Sequence, residues 1–141
     1  MPKSSDFANK LLLAIFNAIG IPNLLDNTST SPATTLTVAL HTADPTPAGV
    51  QTASEIAYTG YARQTVARSS AGWTVTANSV APVANIDFPA MTGGAGGTVT
   101  FFSVGDGVSN EVLYSGPVTP SIVVVNSVVP RLTPATAITE A

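Results

Sequence analysis

The stretch that decides the fold is Leu-Thr-Val-Ala-Leu-His at residues 36–41, in which large apolar side chains alternate with smaller or polar ones. Leu36, Val38 and Leu40 would point to one side of an extended strand, and the residues between them would point to the other. A strand with this alternation is typical of an antiparallel sheet that packs one face on a core. The pattern therefore places a half-buried strand here.

Similar strand patterns follow along the rest of the chain, and we predict them at 61–66, 73–77, 84–88, 98–104, 112–115 and 121–129. Turn signals rich in Gly, Pro and Asp separate them, at 43–45, 70–72, 93–97, 105–107 and 116–117. Short strands at such spacing predict a mainly β domain over residues 36–129, an antiparallel β-sandwich or jelly-roll-like barrel. The run of Ile and Val at 122–125 predicts a strand that is covered on both faces.

Residues 1–25 have a different pattern, which predicts one N-terminal α-helix or arm. Ser4 or Ser5 can cap the helix, and Gly20 followed by Pro22 would end it. Apolar residues cover more than half of its circumference, whereas a helix on its own sheet needs one stripe of about 100°. Deep burial is one explanation, and we favour the other, a second face that packs against a neighbouring subunit.

Residues 130–141 contain Pro130, Pro134 and many small side chains, which predict an extended C-terminal arm. Arg63 and Arg68 would each pair with a carboxylate, such as that of Asp44, Glu55 or Asp87, either inside the domain or across an interface. Helix, arm and arginine together give the predicted intersubunit interface, which comprises Phe7, Leu11, Leu12, Ile15, Phe16, Ile19, Arg63, Arg131 and Leu132.

The composition argues for association with other protein subunits. The charged fraction is 9% of 141 residues, against about 25% for ordinary soluble domains. The net charge of -3 argues against a nucleic-acid partner, because phosphate binding needs a basic surface. Low charge is what interface cores favour, so we expect other subunits to cover much of the surface.

Membrane insertion and secretion are not expected from the N-terminal residues. The longest apolar run near the start, 11–16, is far shorter than the roughly 20 residues that a bilayer requires. The stretch before Pro22 has no convincing cleavage site of a signal peptide. We therefore expect synthesis and assembly in a cytoplasm, with no membrane partner.

The residues with catalytic or metal-binding potential predict neither an enzyme nor a cofactor site. His41 is the single histidine, and we predict that it faces outward and bonds near the turn at Asp44. Residues 93–97 predict a glycine-rich loop before a strand, because no Lys-Ser/Thr pair follows them. A group of oxygen ligands at 106–111 could suit calcium, but its spacing is more typical of an ordinary turn.

Several blocks of this sequence resemble small tailed-bacteriophage virion proteins. They are LTVALHTADP at 36–45, GYARQ at 60–64, FPA at 88–90 and VLYSG at 112–116, and the resemblance extends from about residue 7 to 129. Relatives often carry the label phage tail fibre protein, and others act as capsid decoration or cement proteins. The resemblance implies a component of the virion without enzymatic activity.

Two placements in the virion follow from this resemblance. The first hypothesis is a decoration protein that forms a trimer and binds the major capsid protein. The alternative is a tail or tail-fibre component that binds a host glycan or attaches an adhesin. Glycan binding would require an exposed aromatic platform, for which Tyr58, Tyr61 and Trp73 are candidates, although the alternation places Trp73 in the core.

Overall fold

The structure, a computed structural model, describes residues 4–20 and 32–140, with the backbone alone for residues 5–7. Its elements in chain order are α1 (Ser5–Phe16), β1 (Thr35–His41), β2 (Gln64–Ala67), β3 (Trp73–Thr76), β4 (Ser79–Pro82), β5 (Ile86–Asp87), β6 (Gly97–Gly105), β7 (Val112–Val124), β8 (Arg131–Leu132) and β9 (Ile138–Thr139).

The strands form three antiparallel sheets. The largest has the order β2-β1-β6-β7, a second has the order β3-β4-β9, and the third is the pair β5-β8. In the largest sheet, Val38 of β1 lies opposite Val104 of β6. The prediction of a mainly β, antiparallel fold with one N-terminal helix is confirmed, and the arrangement is consistent with a β-sandwich.

The core lies on the face of β1 that carries Leu36, Val38 and Leu40, all nearly inaccessible to solvent. Helix α1 contacts β3 and β4, and its Phe16 packs against the Trp73 ring edge-on, with ring centroids 4.8 Å apart. Offset aromatic contacts of this kind add to the gain from burying the rings. Trp73 is 2% exposed, so its predicted place in the core is confirmed.

The helix ends earlier than the sequence predicted. It stops at Phe16 rather than near Gly20, and Ala18 takes the left-handed conformation, with φ 57°. The N–H groups of Asn17 and Ile19 both donate to the carbonyl of Leu13, at 3.0 and 3.1 Å. The chain therefore turns away from the helix axis before the expected glycine.

Arg68 closes the C-terminal end of this helix. Its guanidinium donates to the carbonyl of Ile15 at 2.6 Å, to that of Ala14 at 2.7 Å and to that of Ala33 at 3.2 Å. The last carbonyls of a helix have no partner within the helix and carry partial negative charge. Arg68, just after β2, therefore attaches the helix to the largest sheet, and its partners are backbone carbonyls rather than the predicted carboxylate.

Strand β7 differs from its prediction in two ways. It runs without a break through residues 116–117, where a turn was predicted, and Pro117 lies opposite Phe101 of β6. Proline is tolerated there because β7 is at the edge of the sheet. The predicted covering of both faces is also wrong within the domain, since Val123 and Val125 are 61% and 54% exposed.

An extended arm was predicted at 130–141, but residues 130–140 belong to the β domain instead, and residue 141 lies outside the described residues. Strand β8 pairs with β5, and β9 pairs with β4. Leu132 and Ile138 are 3% and 8% exposed and are part of the core. The prediction is wrong because these two apolar anchors stand among proline and small residues, where the sequence shows no strand alternation.

Replacing Arg68 with methionine should destabilise the domain by about 1.5–3 kcal/mol, because charge-assisted hydrogen bonds to buried helix carbonyls are lost. Urea unfolding monitored by Trp73 fluorescence measures the change. The matched control is Arg131→Met, which removes an exposed ion pair with Asp87 and should change stability little. Equal destabilisation by both variants would contradict the capping role.

Candidate functional site

A strip of buried polar side chains lies on the outer face of β1 and β6. His41 and Ser103 belong to these strands, and Gln51 lies in the chain segment that covers them. His41, Gln51 and Ser103 are each 0% exposed. The segment between β1 and β2 folds back over this face, where the N–H of Thr42 donates to Ser54 at 2.8 Å and the N–H of Ile56 donates to Leu40 at 2.9 Å. The strip is therefore enclosed between the sheet and this covering segment, residues 42–63.

Gln51 is the centre of the polar strip. Its amide nitrogen donates to the Thr37 carbonyl at 3.2 Å and to Ser103 Oγ at 3.1 Å, while its Oε1 accepts from Thr37 Oγ1 at 2.8 Å. Gly105 makes room for it, because a Cβ at that position would lie 2.4 Å from the Gln51 side chain. A buried amide needs such partners, since leaving it unpaired costs stability.

The hydrogen bonds of His41 indicate which of its two ring nitrogens carries the proton. Nδ1 lies 2.9 Å from the Ala53 carbonyl, which can only accept, so Nδ1 carries the proton. Nε2 then accepts from Ser103 Oγ at 2.8 Å, and Ser103 Oγ in turn accepts from Gln51. Burial lowers the pKa of the imidazole below its ordinary value of 6.5. The strip thus holds His41 neutral with both nitrogens paired.

The prediction that His41 faces outward beside Asp44 is wrong. His41 does alternate with Leu40, but residues 42–63 cover its side of the sheet. The Asp44 carboxylate instead accepts from the N–H and hydroxyl of Thr46, at 3.0 and 2.8 Å, and from the hydroxyl of Ser115 at 3.1 Å. These bonds lower the pKa of Asp44 and keep it within its own turn.

Ser103 and His41 have the spacing of a nucleophile and base, but their position serves packing. Both are fully buried, and the second imidazole nitrogen bonds a backbone carbonyl rather than a carboxylate. A substrate could reach Ser103 Oγ only if the covering segment opened. Nothing in the sequence singled out Ser103, since a lone serine in a strand carries no distinguishing signal.

Arg63 binds Glu55 inside the domain. Its Nε and Nη2 donate to the two carboxylate oxygens, each at 2.7 Å, which is the two-pronged geometry that suits a guanidinium. The hydroxyl of Tyr61 donates to the same carboxylate at 2.9 Å and accepts from the N–H of Leu40 at 3.1 Å. Hydrogen bonding to Glu55 raises the pKa of Arg63, and burial raises that of Tyr61.

The loop between β6 and β7 joins the same network. Arg63 Nη1 donates to Asn110 Oδ1 at 2.5 Å and, more distantly, to Gln51 Oε1 at 3.4 Å. The Asp106 carboxylate accepts from the N–H groups of Val108 and Ser109, at 3.1 and 3.0 Å. These are the bonds of an ordinary turn that begins at an aspartate. Within residues 4–20 and 32–140, no group of three or more His, Cys, Asp or Glu side chains is placed to hold a metal ion.

The residues of the predicted interface occupy different environments. Those fully buried in their own core are Leu12, Phe16 and Leu132; those partly buried are Leu11, Ile15 and Arg63; those more than half exposed are Ile19 and Arg131. Arg131 pairs with Asp87, and the Phe7 side chain lies outside the description. Leu12, Phe16 and Leu132 therefore serve their own domain, and the interface itself stays a prediction.

The candidate aromatic platform does not form on the surface. Tyr58 is 8% exposed, its hydroxyl donates to the Pro89 carbonyl at 2.7 Å, and its ring packs edge-on against Tyr61. Both tyrosines line an open groove of about 560 Å³, together with Glu55 and Gly94. Their rings contribute walls rather than an exposed stacking surface.

The described part of the chain contains no helix of the length and apolar character that a bilayer crossing requires.

Two of the four sequence blocks that resemble phage proteins, residues 36–45 and 60–64, meet at this network. Leu40 and His41 of the first block lie against residues 53–56, and Tyr61 and Arg63 of the second block bind Glu55. A comparison with family models matches residues 9–138 to Gp80, the podophage GP4 fiber I protein gp80. This chain belongs to the gp80 fibre family. No curated protein matches it.

Membership in the gp80 family identifies the chain as a structural protein of the phage virion. The match covers all of β1 to β8 and reaches Ile138, the first residue of β9. The resemblance seen in the sequence ended near residue 129, so the family match adds the two C-terminal anchors to the shared domain. It fits the tail-fibre hypothesis at least as well as the decoration hypothesis.

Replacing Gly105 with alanine should destabilise the domain by about 1–3 kcal/mol, because the added methyl group overlaps Gln51 and forces the buried strip apart. Thermal or urea unfolding measures the effect. Gly93→Ala is the matched control, since its Cβ would make only ordinary contact with Thr59 at 3.5 Å. A Gly105→Ala protein as stable as the Gly93→Ala protein would show that the strip yields easily.

The domain should lose stability as the pH falls below about 6.5, the ordinary pKa of histidine. In that range the unfolded chain binds a proton that the folded chain excludes, so protonation favours unfolding. Urea unfolding between pH 7 and pH 5 measures this slope, about where histidine titrates. His41→Gln retains a donor and an acceptor without titrating, and its slope should be flatter. Identical slopes would assign the pH dependence to other groups.

Proposed function

We propose that this chain is a building subunit of the phage fibre. The observation that carries the proposal is the match of residues 9–138 to a fibre protein family, because it spans nearly the whole described domain. The chain would act by holding its position in an assembly rather than by transforming a substrate.

The internal network supports a mechanical role. Residues 42–63 form a long segment without a regular strand of their own, and such segments are usually the mobile parts of a domain. Here Gln51 and His41 attach the segment to the sheet from within. The Tyr61 hydroxyl also accepts from the N–H of Leu40 in β1, and Arg63 donates to Asn110 in the β6–β7 loop. A segment held at several points suits a subunit that carries load between neighbours.

The placement of the aromatic rings favours attachment over glycan binding. Sugar rings stack on exposed aromatic faces, and neither Trp73 nor Tyr58 offers one. Within the tail-fibre alternative, we therefore favour a subunit that connects fibre parts or an adhesin over a subunit that binds the host glycan itself.

The capsid decoration hypothesis is the second candidate. It is supported by the low charged fraction of 9% and by a small β domain that many copies could use to link shell subunits. In that case the partners would be further copies, arranged as a trimer, and the major capsid protein. The two candidates differ in where the protein lies and in how many copies a virion contains.

Both differences can be measured on intact virions. Quantitative mass spectrometry against the major capsid protein gives the copy number, and gold-labelled antibody to the chain gives its position by electron microscopy. We expect a few to a few dozen copies, with label confined to the fibres. Label spread over the head, with hundreds of copies, would reject the fibre proposal in favour of decoration.

A further inference from the structure

The end of β7 and the residues after it expose a group of valines. Val123, Val125 and Val129 are 61%, 54% and 49% exposed. Across residues 4–20 and 32–140, five large apolar residues are at least 49% exposed, and three of them fall within this short stretch. Their neighbour Val124 is fully buried, so alternate residues serve the core and the surface. We call residues 121–129 the valine surface.

The valine surface lies in a stretch without charge. No Asp, Glu, Lys or Arg occurs from residue 112 to 130. Exposed residues around the three valines include Thr98, Ser121 and Ser127, which are polar but neutral. An apolar centre with a polar rim is the usual composition of a protein interface.

The absence of charge indicates which partner fits. Each copy of the chain has a net charge of -3, so two copies repel each other over most of their surfaces. Two copies can meet along residues 112–130 without bringing like charges together, because this stretch has no charged side chain. An unlike partner is commonly selected by complementary charges, which this stretch does not supply. A second copy of the same chain is therefore the occupant that the charges favour.

The position of β7 in the sheet supports the same partner. It is an edge strand, paired with β6 on one side only. Natural proteins protect long edges with charged side chains, bulges or proline. Pro117 and Pro120 interrupt the middle of β7, but from residue 121 onward the strand has neither proline nor charge. Residues 121–124 of β7 therefore lack proline and charge as protection, and Val123 among them is 61% exposed.

We propose that the valine surface is where copies of this chain associate, with Val123 and Val125 of each copy packed against the same residues of the next around a symmetry axis. A residue near such an axis meets its own counterpart. The inference deepens the proposed function, because it names a contact by which fibre subunits could assemble.

The first test compares two charge-introducing variants of the purified full chain by sedimentation velocity. Wild type should sediment as an oligomer whose mass is a multiple of 14.3 kDa. Val123→Asp with Val125→Asp should give monomer with an unchanged circular dichroism spectrum, because both side chains point into solvent in the isolated subunit. Val108→Asp is the matched control: it changes a valine that is 82% exposed in the β6–β7 loop, and it should leave the oligomer intact.

The second test uses the absence of cysteine from the chain. Val123→Cys should form an intermolecular disulfide under mild oxidation, and Val108→Cys at the same concentration should not. This test does not require the aspartate variant to fold.

Three results would each contradict the proposal that copies associate through the valine surface. They are a monomeric wild type, an oligomer that persists in the double aspartate variant, and equal cross-linking at the two cysteine positions. The proposed function is tested separately by the position of the chain in virions. An oligomer that depends on Val123 but lies on the head would leave the surface standing while the fibre proposal fails.

Discussion

The Gln51 amide is buried between the sheet and segment 42–63, of which Gln51 is a part. The packing of the outer half of the domain depends on this burial. The amide lies between Thr37 and Ser103 and fits only because residue 105 is glycine. A buried amide stabilises a fold when every donor and acceptor is paired, and it destabilises one when they are not. The pairing of Gln51 therefore favours this position of the covering segment, and Ala53 of the same segment accepts from His41.

The charges of the domain are used largely for internal connections. Arg63 binds Glu55, Arg68 binds the end of the helix and Arg131 binds Asp87. Three of the five basic residues of the sequence are therefore paired within their own domain. The stretch from the start of β7 to the residue before β8, 112–130, has no charged side chain at all. A virion subunit can use such a neutral surface to contact neighbours, whereas a protein that works alone needs charge for solubility.

The family match gives these features a common context. A structural protein of the virion must hold its shape, and the structure provides a covering segment that is bonded to the sheet and an edge strand with exposed valines. Ser103 and His41 show why geometry alone does not imply chemistry. Their spacing would suit a reaction, but their complete burial makes them part of the connection between sheet and segment.

The antiparallel β class, the N-terminal helix, strands β1 and β3 and the buried position of Trp73 could all be predicted from the sequence, because alternation and helical spacing are local properties. It did not determine the environment of His41, the cap formed by Arg68 or the place of Leu132 and Ile138. Each of these depends on partners far away in the chain: Ser103 lies 62 residues from His41, and Ala14 lies 54 from Arg68. The segment that covers a strand is fixed in the folded chain alone, because its hydrogen bonds join residues that are far apart in the sequence.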